Sequence, residues 1–131
     1  MFVRDYMKAS GRPTSLWIRT PLIPEATATV ENVGAIGAFI AENLGPVIER
    51  WELCSFNNLC RDKYRRLGID WEFRDTPLLS RASLDELADT ARRCLADPSI
   101  VQWTGAPRVE KTADGGTEKR HLKLVKGCTT C

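Results

Sequence analysis

Cysteines are the side chains in this sequence with the widest choice of chemistry. Five are present, at Cys54, Cys60, Cys94, Cys128 and Cys131. Two residues separate Cys128 from Cys131, which is the spacing at which one segment supplies half of a zinc or iron–sulfur site. His121, Cys54 or Cys60 could complete that site, but the chain has no second Cys-x-x-Cys pair. A redox dithiol usually stands at a helix N-terminus, and the sequence around Cys128 and Cys131 predicts no helix. The pattern therefore favours a segment without a defined role over a metal site, and a metal site over a redox one.

The cysteine count and the N-terminus together predict a cellular location. The count is odd, and residues 1–6 show no basic region followed by an apolar stretch, so we expect reduced thiols in a cytoplasmic protein rather than a disulfide scaffold. The longest run of small or apolar residues spans positions 34–41. That is far below the roughly 20 residues of a membrane span, so no membrane partner is expected.

Basic side chains cluster at Arg61, Lys63, Arg65 and Arg66. Such a cluster could bind phosphate, but Asp62 interrupts it. The net charge of the whole chain is only +2. We therefore interpret the cluster as a solvated helix face and expect no nucleic-acid partner.

Alternating helix and strand patterns must position any site. Helices are predicted over residues 2–9, from the N-cap Thr29 to Leu44, over 59–67, and from a capping box at Ser83 and Glu86 to the stop at Pro98. Strands are predicted over 16–19, 47–54 and 100–103, the first ending before Pro21. This order is typical of an α/β fold with parallel strands, whose ligands bind at the carboxyl ends of the strands.

Charge and composition change near Gly105. Residues 1–104 carry a net charge of −1, whereas residues 105–131 carry +3 and few large apolar side chains. We expect one folded unit over 1–104 and a flexible basic tail over 105–131. The whole chain of 131 residues is too short for a complete (β/α)₈ barrel, which takes about 250.

Two blocks of sequence carry a family resemblance. Residues 16–24, LWIRTPLIP, precede a helix start, and residues 51–60, WELCSFNNLC, are followed by Lys63, Tyr64 and Gly68. The blocks and their separation resemble the later part of radical SAM activating enzymes for glycyl-radical enzymes, the pyruvate formate-lyase activating enzyme family. The similarity extends from about Asp5 to about Trp103. It implies a partial radical SAM β/α barrel, the C-terminal half, over residues 1–104.

The resemblance also implies ligands and site residues. The family binds S-adenosylmethionine and a [4Fe–4S] cluster, and it makes a 5′-deoxyadenosyl radical that abstracts hydrogen from a glycine of a target enzyme. By resemblance, Arg19 binds near S-adenosylmethionine, Asn57 stands at the family's His position, and Phe56 packs beside the adenine. The alternative for Arg19 is that of a surface arginine at a strand end, paired with Glu25 or Glu31. Three departures are visible. The family's Cys-x-x-x-Cys-x-x-Cys cluster motif is absent, Glu25 replaces a family Gly, and Asn57 replaces the family His.

Three hypotheses follow from these patterns. In the first, the chain is the C-terminal portion of an activating enzyme and is inactive alone, with a missing N-terminal barrel half or self-association completing the barrel. In the second, it is a non-catalytic binding or regulatory half-barrel that docks a partner through an open sheet edge. The third is a small metal-binding protein organised by Cys128 and Cys131. The tryptophans, particularly Trp17 and Trp51, are interpreted as core.

Overall fold

The fold was analysed in a computed structural model that describes residues 2–109. The elements, in chain order, are α1 (Phe2–Ser10), β1 (Leu16–Leu22), α2 (Val30–Asn43), β2 (Ile48–Ser55), α3 (Arg61–Arg66), α4 (Arg81–Arg93), a 3₁₀ turn (Pro98–Ile100) and β3 (Val101–Thr104). The predicted pair Cys128 and Cys131, His121 and most of the predicted tail lie outside the described residues. Within them, no helix is long and apolar enough to cross a membrane.

The three strands form a parallel sheet in the order β1-β2-β3. This confirms the predicted α/β class and the parallel pairing. Strand β1 is an edge strand, and it runs through Pro21 to Leu22 instead of ending at Arg19. An edge strand tolerates proline because it has a neighbour on one side only, so the N–H that proline lacks is not needed for a hydrogen bond on the open side. Arg19 therefore lies inside the strand, three positions before its end.

The core lies between one face of the sheet and two helices. Trp51 and Leu53 of β2 are fully buried, and they share their cluster with Val33 and Ile40 of α2 and with Leu84 of α4. The stripe predicted for α2 is confirmed, as is its cap, since the Thr29 hydroxyl accepts from the backbone N–H of Asn32 at 3.1 Å. Trp51 donates to the Thr20 hydroxyl at 2.9 Å, so its indole N–H is not left unpaired in the core.

The start of α4 differs from the sequence prediction. Ser80, not Ser83, is the N-cap: its hydroxyl accepts from the backbone N–H of Ser83 at 3.1 Å, and the helix begins at Arg81. Ser83 already stands in the first turn, so the capping box predicted with Glu86 does not form. Both serines precede the same apolar stripe, and the backbone of Ser80 is the one that is extended, as a cap requires.

The other face of the sheet carries polar side chains. The predicted alternation along β2 is confirmed, because Arg50 and Glu52 lie opposite Trp51 and Leu53. Trp17 also lies on this polar face and is 52% exposed, so its prediction as a core residue was wrong. Its register partner is Arg50, and the guanidinium of Arg50 stacks on the indole ring, which offers a favourable site for a cation outside the core.

Candidate functional site

A row of polar side chains crosses the polar face at one level. Arg19 of β1 pairs in register with Glu52 of β2, which pairs in turn with Gln102 of β3. Register partners in a parallel sheet point to the same side. The row therefore gathers one cation, one anion and one amide across all three strands.

Glu52 is the buried member of this row. Its side chain is 10% exposed, whereas that of Arg19 is 67% exposed. Arg19 Nε lies 2.7 Å from Glu52 Oε2, a close ion pair, although the two atoms do not meet in hydrogen-bond geometry. Arg50 Nη2 lies 3.7 Å from the other carboxylate oxygen, Oε1. Two guanidinium groups thus flank one carboxylate, and the cluster carries a net charge of +1.

Arg50 is held from two further sides. Its Nη2 donates to Gln102 Oε1 at 3.0 Å, and its guanidinium lies 5.1 Å from the ring centre of Trp17. Trp17 Nε1 in turn donates to Glu49 Oε2 at 3.1 Å. These contacts fix Arg50 beside Glu52 independently of Arg19. Sequence reasoning placed Arg50 and Glu52 on this face but gave them no role. The available signal was two charges of opposite sign at alternate positions of a strand that also carries Trp51 and Leu53.

The partner of Arg19 differs from the ones the sequence suggested. An ordinary surface pairing with Glu25 or Glu31 was the alternative to a ligand role, and neither is its partner. Within residues 2–109 the ion pair with Glu52 is its side-chain contact, and the terminal nitrogens Nη1 and Nη2 have no partner there. A guanidinium with two free N–H-bearing nitrogens can bind a carboxylate in bidentate fashion.

Phe56 and Asn57 follow the carboxyl end of β2. The Phe56 ring is 7% exposed and lies 6.1 Å from Trp71 and 6.3 Å from Phe73, ring centre to ring centre. Asn57 is exposed, and its Oδ1 accepts from the backbone N–H of Leu59 at 3.2 Å, which shapes the turn into α3.

Arg19 and this turn lie at different heights along the strands. Leu22, at the end of β1, is in register with Ser55, two residues before Asn57. Arg19 is three residues before Leu22, or roughly 10 Å at the rise of a strand residue. A ligand that contacts Arg19 and Asn57 together must therefore span at least that length.

The loop after β1 contains a backbone position of unusual conformation. Glu25 has φ of 62°, in the left-handed region that favours glycine. This is the position at which the resembled family has Gly. The loop is fixed around it: backbone N–H groups of Ala26, Thr27 and Ala28 all point to the Ile23 carbonyl, at 2.9–3.2 Å. The loop thus holds a left-handed residue at Glu25, whose side chain disfavours that conformation.

The described cysteines do not gather into a metal site. Cys60 is exposed at the start of α3, and Cys54 lies in β2. Cys94 lies between α4 and α2, where its thiol donates to the Thr90 carbonyl at 3.3 Å. Across residues 2–109, no three His, Cys, Asp or Glu side chains group so as to hold a metal ion. These residues do not fit a [4Fe–4S] cluster, which needs several thiolates converging on it.

The basic cluster of α3 lies on the surface, as the sequence predicts. Its four cations are all exposed, and Arg65 forms an ion pair with Asp62 at 3.1 Å one helical turn away. Exposed pairs of this kind contribute little to stability. That no nucleic acid binds here stays a prediction.

Comparison with known proteins gives two partial matches. The chain is 30% identical over 84 residues to the pyruvate formate-lyase-activating enzyme of Clostridium pasteurianum, covering 63% of this chain and 34% of the relative. It is 25% identical over 80 residues to the (2S)-3-sulfopropanediol dehydratase activating enzyme of Klebsiella oxytoca. That match covers 61% of this chain and 25% of the relative. The matches thus span 34% and 25% of the lengths of these two relatives. No family model and no solved structure matches. The two matches support a distant relationship to glycyl-radical-enzyme activating enzymes.

Proposed function

We propose that this chain is a portion of a glycyl-radical-enzyme activating enzyme and forms part of the wall of its β/α barrel, as the C-terminal half. In this role the polar face of the sheet is turned toward the bound S-adenosylmethionine, and α2 and α4 form the outer layer. The distant relationship and the parallel sheet with helices on its apolar face support the proposal. A glycyl-radical enzyme is the proposed target and the cytoplasm the proposed location.

Arg19 carries the proposal. It stands in the sequence block that resembles the family, it lies on the polar face, and its Nη1 and Nη2 have no partner among residues 2–109. The carboxylate of S-adenosylmethionine is an anion of the right shape for these two nitrogens. Asn57 and Phe56 are proposed to contact the ligand from the end of β2. For Phe56, stacking on adenine requires its ring to leave the contacts with Trp71 and Phe73.

An iron–sulfur cluster has no ligand set among residues 2–109. The described cysteines do not converge, so any cluster of the complete enzyme would be held by residues outside 2–109. The chain's own part is to bind and orient the carboxylate of S-adenosylmethionine. We therefore propose that the described residues are inactive without a complementing barrel half.

The test is a titration of the ¹⁵N-labelled chain with S-adenosylmethionine, followed by NMR, which detects binding as weak as about 10 mM. We expect signal shifts at Arg19, Glu52 and the turn at Asn57. Arg19→Ala should weaken binding by roughly 10-fold to 100-fold, the loss of one charge-assisted contact of about 1.5–3 kcal/mol. The matched control is Arg65→Ala, which removes another exposed, ion-paired arginine from α3.

Two results would contradict this function. One is the absence of shifts at about 10 mM ligand. The other is an affinity that Arg19→Ala and Arg65→Ala leave equally unchanged. Shifts confined to α3 would indicate nonspecific attraction to its basic face.

A non-catalytic binding module is the second candidate, and the open edges of the sheet favour it. Strands β1 and β3 each have one neighbour in the sheet of residues 2–109. Either a missing barrel half or a second copy of this chain would pair there. Light scattering after size exclusion separates these readings: a dimer supports self-association, whereas a stable monomer that binds no S-adenosylmethionine supports neither proposal.

A further inference from the structure

We infer that Glu52 is the positioning residue of Arg19: its carboxylate anchors the guanidinium through Nε and so presents Nη1 and Nη2 to the carboxylate of the ligand. The inference deepens the proposed function and rests on it. It assigns Glu52 no contact with the ligand itself.

The asymmetry of burial separates this pair from an ordinary surface ion pair. Glu52 is nine-tenths buried on the central strand, while two-thirds of the Arg19 side chain is exposed on the edge strand. In surface pairs both side chains are mobile and the interaction contributes little. Here one partner is immobile, so the mobile partner takes its position from it.

The contacts on the far side of Glu52 explain why it is immobile. Arg50 lies 3.7 Å from its Oε1, and Arg50 itself is held by Gln102 and by the ring of Trp17. The second cation compensates part of the cost of burying this negative charge. The Glu52 side chain is therefore oriented before Arg19 is added to the cluster.

Preorganisation is what Arg19 gains. A free arginine side chain samples many rotamers, and a ligand that binds to it must restrict them. An Nε anchor restricts the chain in advance and leaves the terminal nitrogens unoccupied. Glu52 Oε2 makes no hydrogen bond among the described residues. The Arg19 guanidinium can therefore shift slightly when a ligand binds without breaking a hydrogen bond to Glu52.

The experiment compares Glu52→Gln and Glu52→Asp with the matched control Asp62→Asn, which removes an acid paired with Arg65. The first readout needs no ligand: the Nε–H signal of Arg19 in the ¹⁵N spectrum, assigned from its loss in Arg19→Ala, and its rate of exchange with water. We expect exchange to become faster in Glu52→Gln, because a neutral amide no longer holds the cation by its charge, and unchanged in Asp62→Asn.

Glu52→Asp is the second variant, used in case Glu52→Gln fails to fold. It keeps a negative charge beside Arg50 but withdraws the carboxylate by about 1.5 Å. We expect a native backbone spectrum with faster Nε–H exchange, in the same direction as Glu52→Gln. The second readout is the S-adenosylmethionine titration, in which both variants should bind roughly tenfold more weakly than the parent chain.

The outcomes distinguish the two proposals. If the parent chain binds S-adenosylmethionine and Arg19→Ala does not, but Glu52→Gln and Glu52→Asp keep both the slow exchange and the affinity, the inference is overturned and the function stands. If the parent chain shows no response to S-adenosylmethionine, the proposed function is overturned whatever the exchange rates are. Faster exchange together with weaker binding supports the inference.

Discussion

Alanine at Gly37 is expected to destabilise the fold although alanine favours helices. At Gly37, α2 packs directly against Cys94 at the end of α4. A Cβ built there would lie 2.7 Å from the Cβ and 2.8 Å from the Sγ of Cys94, and 3.3 Å from Cη2 of Trp51. Carbon atoms in contact prefer 3.5–4.0 Å, so the two helices must separate by roughly 0.8 Å. The Cys94 Cβ is fixed to its backbone and cannot turn aside.

The magnitude follows from two opposing effects. Overpacking a core by one methyl group costs about 1–3 kcal/mol, and contacts below 3 Å place this site at the upper end. Replacing a helical glycine by alanine returns about 1 kcal/mol. The net loss for Gly37→Ala is therefore about 2 kcal/mol. Gly34→Ala is the matched control in the same helix: its nearest atom would be Thr90 Cγ2 at 4.0 Å, so it should gain about 1 kcal/mol.

Urea unfolding, followed by tryptophan fluorescence and far-ultraviolet circular dichroism, measures both variants. The expected difference between them is about 3 kcal/mol, or roughly 1–2 M in the urea midpoint for a protein of this size. The slope of the transition should stay constant if only packing changes. The reasoning fails if Gly37→Ala is as stable as the parent chain, or if both variants shift the midpoint in the same direction.

Three smaller predictions concern the loop, the caps and pH. Glu25→Gly should stabilise the chain by about 0.5–1 kcal/mol in the same assay, because relief of a positive φ outweighs the added freedom of the unfolded chain; a loss would contradict it. Ser80→Ala should lower the free energy of unfolding by about 1 kcal/mol and Ser83→Ala clearly less, since Ser80 caps α4. Equal losses for the two variants would contradict this assignment of the cap. Hydrogen bonds from the hydroxyl and backbone N–H of Ser99 lower the pKa of Asp97; this stabilisation is present above the unfolded pKa and disappears as pH falls through the folded one. An NMR titration of Asp97 should show the lowered pKa, and Ser99→Ala should raise it.

The alternation of element types was accessible from sequence, and the exact bounds were not. Apolar residues at helical spacing and the cap at Thr29 locate α2 well, because both signals are local. The end of β1 was missed because Pro21 stops a central strand but not an edge strand. Edge position is a property of the assembled sheet, and no local pattern reports it.

The candidate site divides in the same way. Arg19 was found through a resemblance between sequences, and the structure adds that it pairs with Glu52, thirty-three residues away. Sequence reasoning could place Glu52 on the face opposite Trp51 but could not supply the register that brings it beside Arg19. Trp17 was predicted to be a core residue because a large apolar side chain is usually buried. In the structure its ring instead contacts the guanidinium of Arg50 on the polar face.

The loop after β1 also decides where another chain can join the sheet. The Thr27 hydroxyl donates to the Pro21 carbonyl at 2.6 Å and accepts from the backbone N–H of Ile23 at 2.8 Å. Together with the missing N–H of the proline, these bonds remove backbone donors and acceptors from the upper part of β1. Strand addition at this edge is thereby confined to the stretch before Pro21, where register must be set by few residues. A fibril-like stack, which needs a long uninterrupted ladder, finds no template here.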